Sequence, residues 1–270
     1  MPAGLRRASD DGAPVRSVSR ALDILLALEH APQSVSAVAR TTGLSTVTTR
    51  RLLASLAHRD LVVPDRTTPT YRLGPGCFGI LDAVVRGAGG LDVIAAPVLS
   101  KLAEETGETV AVYVRAGPRR ICVAQVPSPQ PVRFTARMGM DNPIHTGAMG
   151  KVLLAFSDAA EREEILDRTE LTAYTPATIT DRATLDRELG KVREAGFAES
   201  RGERSAGVAA VAAPVFGVDR RILAALSVLG PSERLDDRTL AELRKPLGSA
   251  AREITRRVAA STVRNGSRHR

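Results

Sequence analysis

The sequence predicts a mixed α/β (α+β) protein of two domains, an N-terminal winged helix-turn-helix followed by a larger domain around an antiparallel sheet. Three observations carry this. Apolar residues recur at helical spacing in three short segments before residue 57, and a short two-strand pattern follows them. Beyond Gly107 the apolar period drops from about 3.6 to two, returns to helical spacing, and drops to two again. Finally, 270 residues suffice for two separate hydrophobic cores.

Residues 1 to 15 mix Pro, Gly, Asp and Arg without periodicity and are expected to form a disordered arm. Val18, Ala21, Leu22, Leu25, Leu26 and Leu28 then mark a first helix through Glu29, with Ser17 as its expected N-cap. After Pro32, Ser34 is placed to cap a short helix carrying Val35, Val38 and Ala39. Gly43 ends it, since glycine readily takes the left-handed turn after a helix. Ser45 opens a third helix whose buried stripe is Thr49, Leu52, Leu53 and Leu56, leaving Thr46, Val47, Arg50, Arg51 and Ala54 on its outer face. Residues 61–63 and 71–73 flank a polar connection and form a hairpin, which completes a winged helix-turn-helix over 16–74.

Residues 75–90 predict a linker helix and hinge, closed by glycines at 87, 89 and 90. A helix over 91–106 stops at Gly107. Strands are expected at 109–115, 119–126 and 131–135, separated by Gly-Pro and Pro-Ser-Pro turns. Helices at 148–156, 159–168 and 181–195 precede strands at 207–216 and 221–229, and a helix from 236 to 260 closes a domain spanning 91–261. Residues 262–270 read as a basic tail.

The formal net charge is +8, and all but four of the 38 basic residues are arginine. Residues 1–74 hold 10 Arg against 6 Asp and Glu, and residues 252–270 hold 6 Arg against 1 Glu, so the middle of the chain is close to neutral. A basic N-terminal domain on a neutral body suits a module that binds a polyanion. Cys77 and Cys122 form no CxxC pair and no Cys/His cluster, which excludes a disulfide framework and a structural zinc and fits a reducing cytoplasm. No apolar run approaches the roughly 18 residues of a membrane span, and no apolar signal core stands at the N-terminus; a soluble protein that is not exported is expected.

Several runs resemble the isocitrate-lyase-regulator (IclR) family of bacterial transcriptional regulators: SVSRALDILLAL (17–28), RLLASL (51–56), YRLG (71–74), HTGAMGKVLLA (145–155), GERSAGVAAVAAPVF (202–216) and AALSVLGP (224–231). The resemblance covers residues 18 to 260. It implies a GAF-like C-terminal domain that binds a small effector, and assembly as a homodimer or dimer of dimers on a palindromic double-stranded operator that controls catabolic genes.

The expected DNA contacts are Ser45, Thr46, Val47, Arg50 and Arg51 at the third helix, where arginine pairs with guanine and hydroxyls with either base. Arg66 and Arg72 on the wing are placed for phosphates or the minor groove. Arg51 has a second reading as an ion-pair partner of Asp23 or Asp60. The opening Ser45-Thr46-Val47 departs from the family's common Pro-Lys-Ser, so the operator sequence does not carry over.

For the effector, the small residues Gly147, Ala148 and Gly150 suggest free backbone N–H groups at a helix start, which favour an anion; a helix start packed against the sheet is the other reading. The resemblance places the pocket at Ala148, Met149, Ser200, Val208, Ala210, Ser227 and Leu229. Those side chains are mostly apolar, which points to a larger or partly aromatic carboxylate; Arg133 and Arg137 are further candidates to pair it.

An enzyme is the competing class, as a GAF-like ligand-binding or catalytic protein with an N-terminal protein-interaction domain. The run GAMGK (147–151) is not a P-loop, because His145 stands where that motif needs its first glycine. There is no GxSxG or HExxH, and Cys122 with His145 reads as a buried cysteine and an unrelated histidine rather than a nucleophile and its base. No cofactor or metal is expected.

Overall fold

A computed structural model describes residues 14–29, 31–65, 67–78, 80, 90–135 and 141–266, with backbone only at 141 and 262–266. The chain divides into two compact units between Val84 and Val85, within the expected linker. Gly76, Cys77 and Phe78 are helical; the rest of that linker except Pro75, Ile80 and Gly90, most of the expected arm, and the side chains of the basic tail lie outside the described residues.

The first unit runs α1 (Arg16–Ala27), β1 (Gln33–Ser34), α2 (Val35–Thr42), α3 (Thr46–Ala57), β2 (Val62–Pro64) and β3 (Thr70–Leu73). The expected Ser17 cap is corrected. The Val18 and Ser19 N–H groups both donate to the Val15 carbonyl, so the first turn closes earlier, and Val15 at the cap offers no side-chain acceptor. The Ser34 hydroxyl accepts from the Ala37 N–H at 3.2 Å, and Gly43 follows α2 at φ +68°, the left-handed conformation that only glycine adopts cheaply. Ile24, Val38, Leu53 and Val62 are fully buried where the three helices meet the wing. Burying each such side chain contributes about 1.5–3 kcal/mol. β1 pairs with β3, and β3 with β2, all antiparallel, so the wing is a three-stranded sheet with an edge strand of only two residues.

The second unit runs α4 (Leu91–Thr106), β4 (Thr109–Ala116), β5 (Arg119–Val126), β6 (Asp141–Pro143), α5 (Gly147–Ala155), α6 (Ala159–Asp167), α7 (Arg182–Ala195), β7 (Ala198–Arg201), β8 (Val208–Phe216), β9 (Ile222–Pro231) and α8 (Asp237–Gly266). Its six strands are ordered β6-β5-β4-β9-β8-β7, all antiparallel. The central pair joins Val110 to Val228 across the chain. One sheet face packs Val110, Val112, Val211, Leu226 and Val228 against α4 and α8; the other packs Ala111, Tyr113, Ala212 and Leu229 against α5, α6 and α7. The result is helices on both faces of one antiparallel sheet.

The strand expected at 131–135 is absent. Residues 127, 129 and 131 are prolines, which cannot donate to a ladder, and the Thr109 hydroxyl, donating to the Phe134 carbonyl at 2.6 Å, holds the segment as a loop. The edge of β5 is taken instead by β6, with Arg120 opposite Asn142. A bulge where Val112 and Tyr113 face Ala124 and Cys122 leaves one extra residue on β5. It turns Arg120 and Cys122 toward the α5 face while Ala124 joins the opposite core.

Candidate functional site

In the first unit, α3 presents its outer face as the sequence spacing predicts: Thr46, Val47, Arg50, Arg51 and Ala54 are exposed, and Val47 is 70% accessible. Thr49, fully buried, donates its hydroxyl to the Ser45 carbonyl at 3.0 Å. The Ser45 hydroxyl accepts from the Thr48 N–H at 3.2 Å, so it caps the helix. Among the described residues neither Arg50 nor Arg51 lies within ion-pair distance of a carboxylate, and the expected alternative pairing of Arg51 with Asp23 or Asp60 is not made. Arg72 is exposed on β3 opposite Val63. Arg66 lies outside the described residues. At the wing tip Asp65 accepts from the N–H groups of Thr67 (2.7 Å) and Thr68 (2.9 Å), and these bonds, with that from the Thr67 hydroxyl, hold its carboxyl down at about 2.

In the second unit a cavity of about 280 Å³ opens over the α5 face of the sheet. Met149, Ser200, Val208, Ala210 and Leu229 line it together with Tyr113, Phe134 and Asn142. Ala148 and Ser227 do not: both are fully buried, and the Ser227 hydroxyl donates to the Ala111 carbonyl on the neighbouring strand. Arg133 is exposed and bonded to the Gln130 carbonyl, and Arg137 lies outside the described residues.

The wall is mainly apolar, as expected, but Arg120, Glu203 and Arg204 also face the cavity. Arg120 is 3% accessible. One of its terminal nitrogens, Nη1, donates to the carbonyls of Pro143 and Thr146, the latter at 2.6 Å, while Nε has no hydrogen-bond partner. Burial pulls this guanidinium down to about 10, which leaves it charged at neutral pH. Tyr113 lies under it, ring centroid 5.7 Å from Cζ, and burial raises the Tyr113 hydroxyl.

Of the expected free donors at the start of α5, the first is already taken. The Gly147 N–H donates to Glu203 Oε2 at 2.7 Å, and Glu203 Oε1 receives Lys151 Nζ at 2.7 Å. The chain thus supplies its own anion at this positive helix end, and Lys151 neutralises it. Gly150 lets α5 lie against the preceding loop, since a Cβ there would fall 1.9 Å from the Ile144 carbonyl oxygen. Arg204 stacks over Tyr174 at 4.3 Å. His145 Nε2 lies 3.1 Å from the Thr172 carbonyl oxygen, and burial lowers the imidazole. Cys122 is buried and its thiol is pushed up to about 11, the reverse of an activated nucleophile. No group of three metal-ligating side chains occurs among the described residues, and no described helix is long and apolar enough to cross a membrane.

Residues 17–66 match the IclR helix-turn-helix domain, and residues 88–256 match the C-terminal domain of bacterial IclR transcriptional regulators. The chain is 30% identical to the HTH-type transcriptional regulator BhcR of Paracoccus denitrificans over 248 residues, 92% of this chain and 88% of that one. It is 32% identical to the HTH-type transcriptional regulator XynR of Escherichia coli over 249 residues, 90% and 96% of the two chains. A crystal structure of an IclR transcriptional regulator from Alicyclobacillus acidocaldarius superposes with a TM-score of 0.75 at 28% identity, covering 91% of this chain and all of that one.

Proposed function

Since the chain belongs to the IclR family and is a DNA-binding transcriptional regulator, not an enzyme, we propose that it works in the cytoplasm as a homodimer or dimer of dimers on a palindromic operator, and that a small organic acid in the cavity of the second unit changes its operator affinity. The outer face of α3 supports the first half: Val47, Arg50 and Arg51 are exposed and free of carboxylates among the described residues, as base-reading side chains must be. Thr46 belongs to the same face, Ser45 fixes the helix start, and Arg66 and Arg72 serve the backbone from the wing. The second half rests on a cavity of about 280 Å³ that combines apolar walls with a buried guanidinium.

The coupling is linkage: an acid that prefers one arrangement of the effector units changes operator affinity by the free energy of that preference. Two reading heads must match half-sites about one helical turn, or a multiple of it, apart, so a small change in their spacing costs much affinity. The test is a gel shift of the pure protein on its own upstream intergenic DNA against random duplex, at physiological salt. A shift specific to the upstream DNA, weakening steeply as salt rises, is expected. Failure to bind even random duplex at low salt overturns the reading.

A further inference from the structure

We propose that Arg120 is the carboxylate anchor of the cavity, and that the effector class is a small monocarboxylic acid with an apolar, planar body, held bidentately on the Nε–Nη2 edge of this guanidinium. The inference rests on the proposed effector reading and adds the residue and the ligand chemistry to it.

The cationic groups around the cavity differ in how deeply they are buried and in how far their charge is already answered. Lys151 is satisfied by Glu203 at 2.7 Å and Glu188 at 3.3 Å. At the α5 start the Gly147 N–H is taken by Glu203. Arg204 also has a buried Nε without a hydrogen-bond partner, but it spreads its charge over the Tyr174 ring and is only half-buried as a whole. Arg120 is almost wholly buried, and among the described residues no carboxylate lies within ion-pair distance of it. A buried charge answered by two carbonyls, the Thr146 hydroxyl and a ring face but by no carboxylate is costly, and a carboxylate partner relieves that cost.

Orientation points the same way. The bonds from Nη1 to Pro143 and Thr146 use the far corner of the guanidinium and pin its plane. The Nε–Nη2 edge is left over, and it is the edge whose two parallel N–H groups match a carboxylate. Nε is buried and unpartnered. Nη2 faces the bare backbone of Gly147, where a Cβ would lie 3.4 Å from Nη2 and 3.9 Å from the Ser200 hydroxyl. Glycine at 147, at φ +76°, therefore keeps open the space beside this edge. Away from the guanidinium the walls are Phe134, Met149, Val208, Ala210 and Leu229, an apolar slot for the rest of the acid.

Benzoate is the probe, and benzamide, of the same shape without charge, is its control. Calorimetry on the full-length protein should give benzoate binding at least roughly tenfold tighter than benzamide. Arg120→Lys keeps the charge but removes the fork, and should weaken benzoate by roughly tenfold or more while the far-UV circular dichroism stays that of the parent. Ala210→Leu fills the apolar slot and should abolish binding. Equal binding of benzoate and benzamide to the parent protein overturns the inference without recourse to any variant, as does no benzoate binding at millimolar concentration. Benzoate binding that survives Arg120→Lys but not Ala210→Leu removes Arg120 as anchor and leaves the cavity as effector site. Binding untouched by either substitution removes both.

Discussion

Lys151 Nζ and Glu203 Oε1 lie 2.7 Å apart with both side chains nearly sealed from water, which makes their pairing the buried electrostatic joint between α5 and the loop after β7. Removing one partner leaves a buried charge without compensation, at a cost of about 3–5 kcal/mol. Lys151→Met should therefore lower the unfolding free energy of the second unit by about that amount in a urea melt. The double variant Lys151→Met/Glu203→Leu should regain part of the loss. A double variant as weak as the sum of the two single ones would show that the pair is not coupled.

The division between α3 and the wing predicts two kinds of DNA-binding defect. Arg50→Ala should cost about 1–3 kcal/mol on the operator and little on random duplex, flattening sequence preference. Arg72→Ala should weaken both duplexes alike and reduce the salt slope by about one. Titrations of each variant on both duplexes over a salt series check this, and equal losses on specific and random DNA for both variants would refute the division.

Asp65 predicts a local response to acid. Its carboxyl is held at about 2, below the ordinary 3.8, by the Thr67 hydroxyl and the backbone N–H groups of Thr67 and Thr68. A carboxyl lowered in the folded state adds stability that is complete above its unfolded value and is lost as pH falls through the folded one. The wing turn should thus hold at pH 4 and loosen toward pH 2. The carboxyl carbon resonance of Asp65 should titrate near 2; a midpoint at the ordinary value would mean the turn is open in solution.

The two cysteines should differ sharply in reactivity. Cys122 is buried with its thiol raised to about 11, whereas Cys77 is half-buried. At pH 8 a thiol reagent should modify one cysteine of the native protein and reach the second only on unfolding. Rapid modification of Cys122, read by peptide mass mapping, would contradict its burial.

What could be read from the sequence was local. The α3 start is set by Ser45 and Gly43, and its buried stripe by Thr49, Leu53 and Leu56, all within one short stretch. β6 and β7 went unread because they span three and four residues, too few for an alternating pattern. Residues 131–135 read as a strand, but Pro131 has no N–H to give a ladder and the Phe134 carbonyl is taken by the Thr109 hydroxyl. At the cavity, five of the seven expected residues line the wall, four of them within the quoted motifs: Met149 on α5, Val208 and Ala210 on β8, and Leu229 on β9, with Ser200 on β7 beside them. Arg120, Glu203 and Arg204 escaped notice: alone, each reads as an ordinary surface charge. Arg120, Gly147, Lys151 and Glu203 come from a strand, a helix and a loop, and no spacing announces contacts made only after the sheet closes.

The pairing of β4 with β9 sets a schedule for biosynthesis. At ribosomal rates of about 5–20 residues per second, roughly ten seconds separate the synthesis of Val110 from that of its partner Val228. Throughout that interval the nascent β4 offers an open ladder edge on the side that β9 will fill, although α4 and β5 are already made. Neighbouring nascent chains on one message carry the same edge, so the crowded polysome is where this protein is most exposed to exchanging strands or aggregating, and where a holding chaperone would matter most.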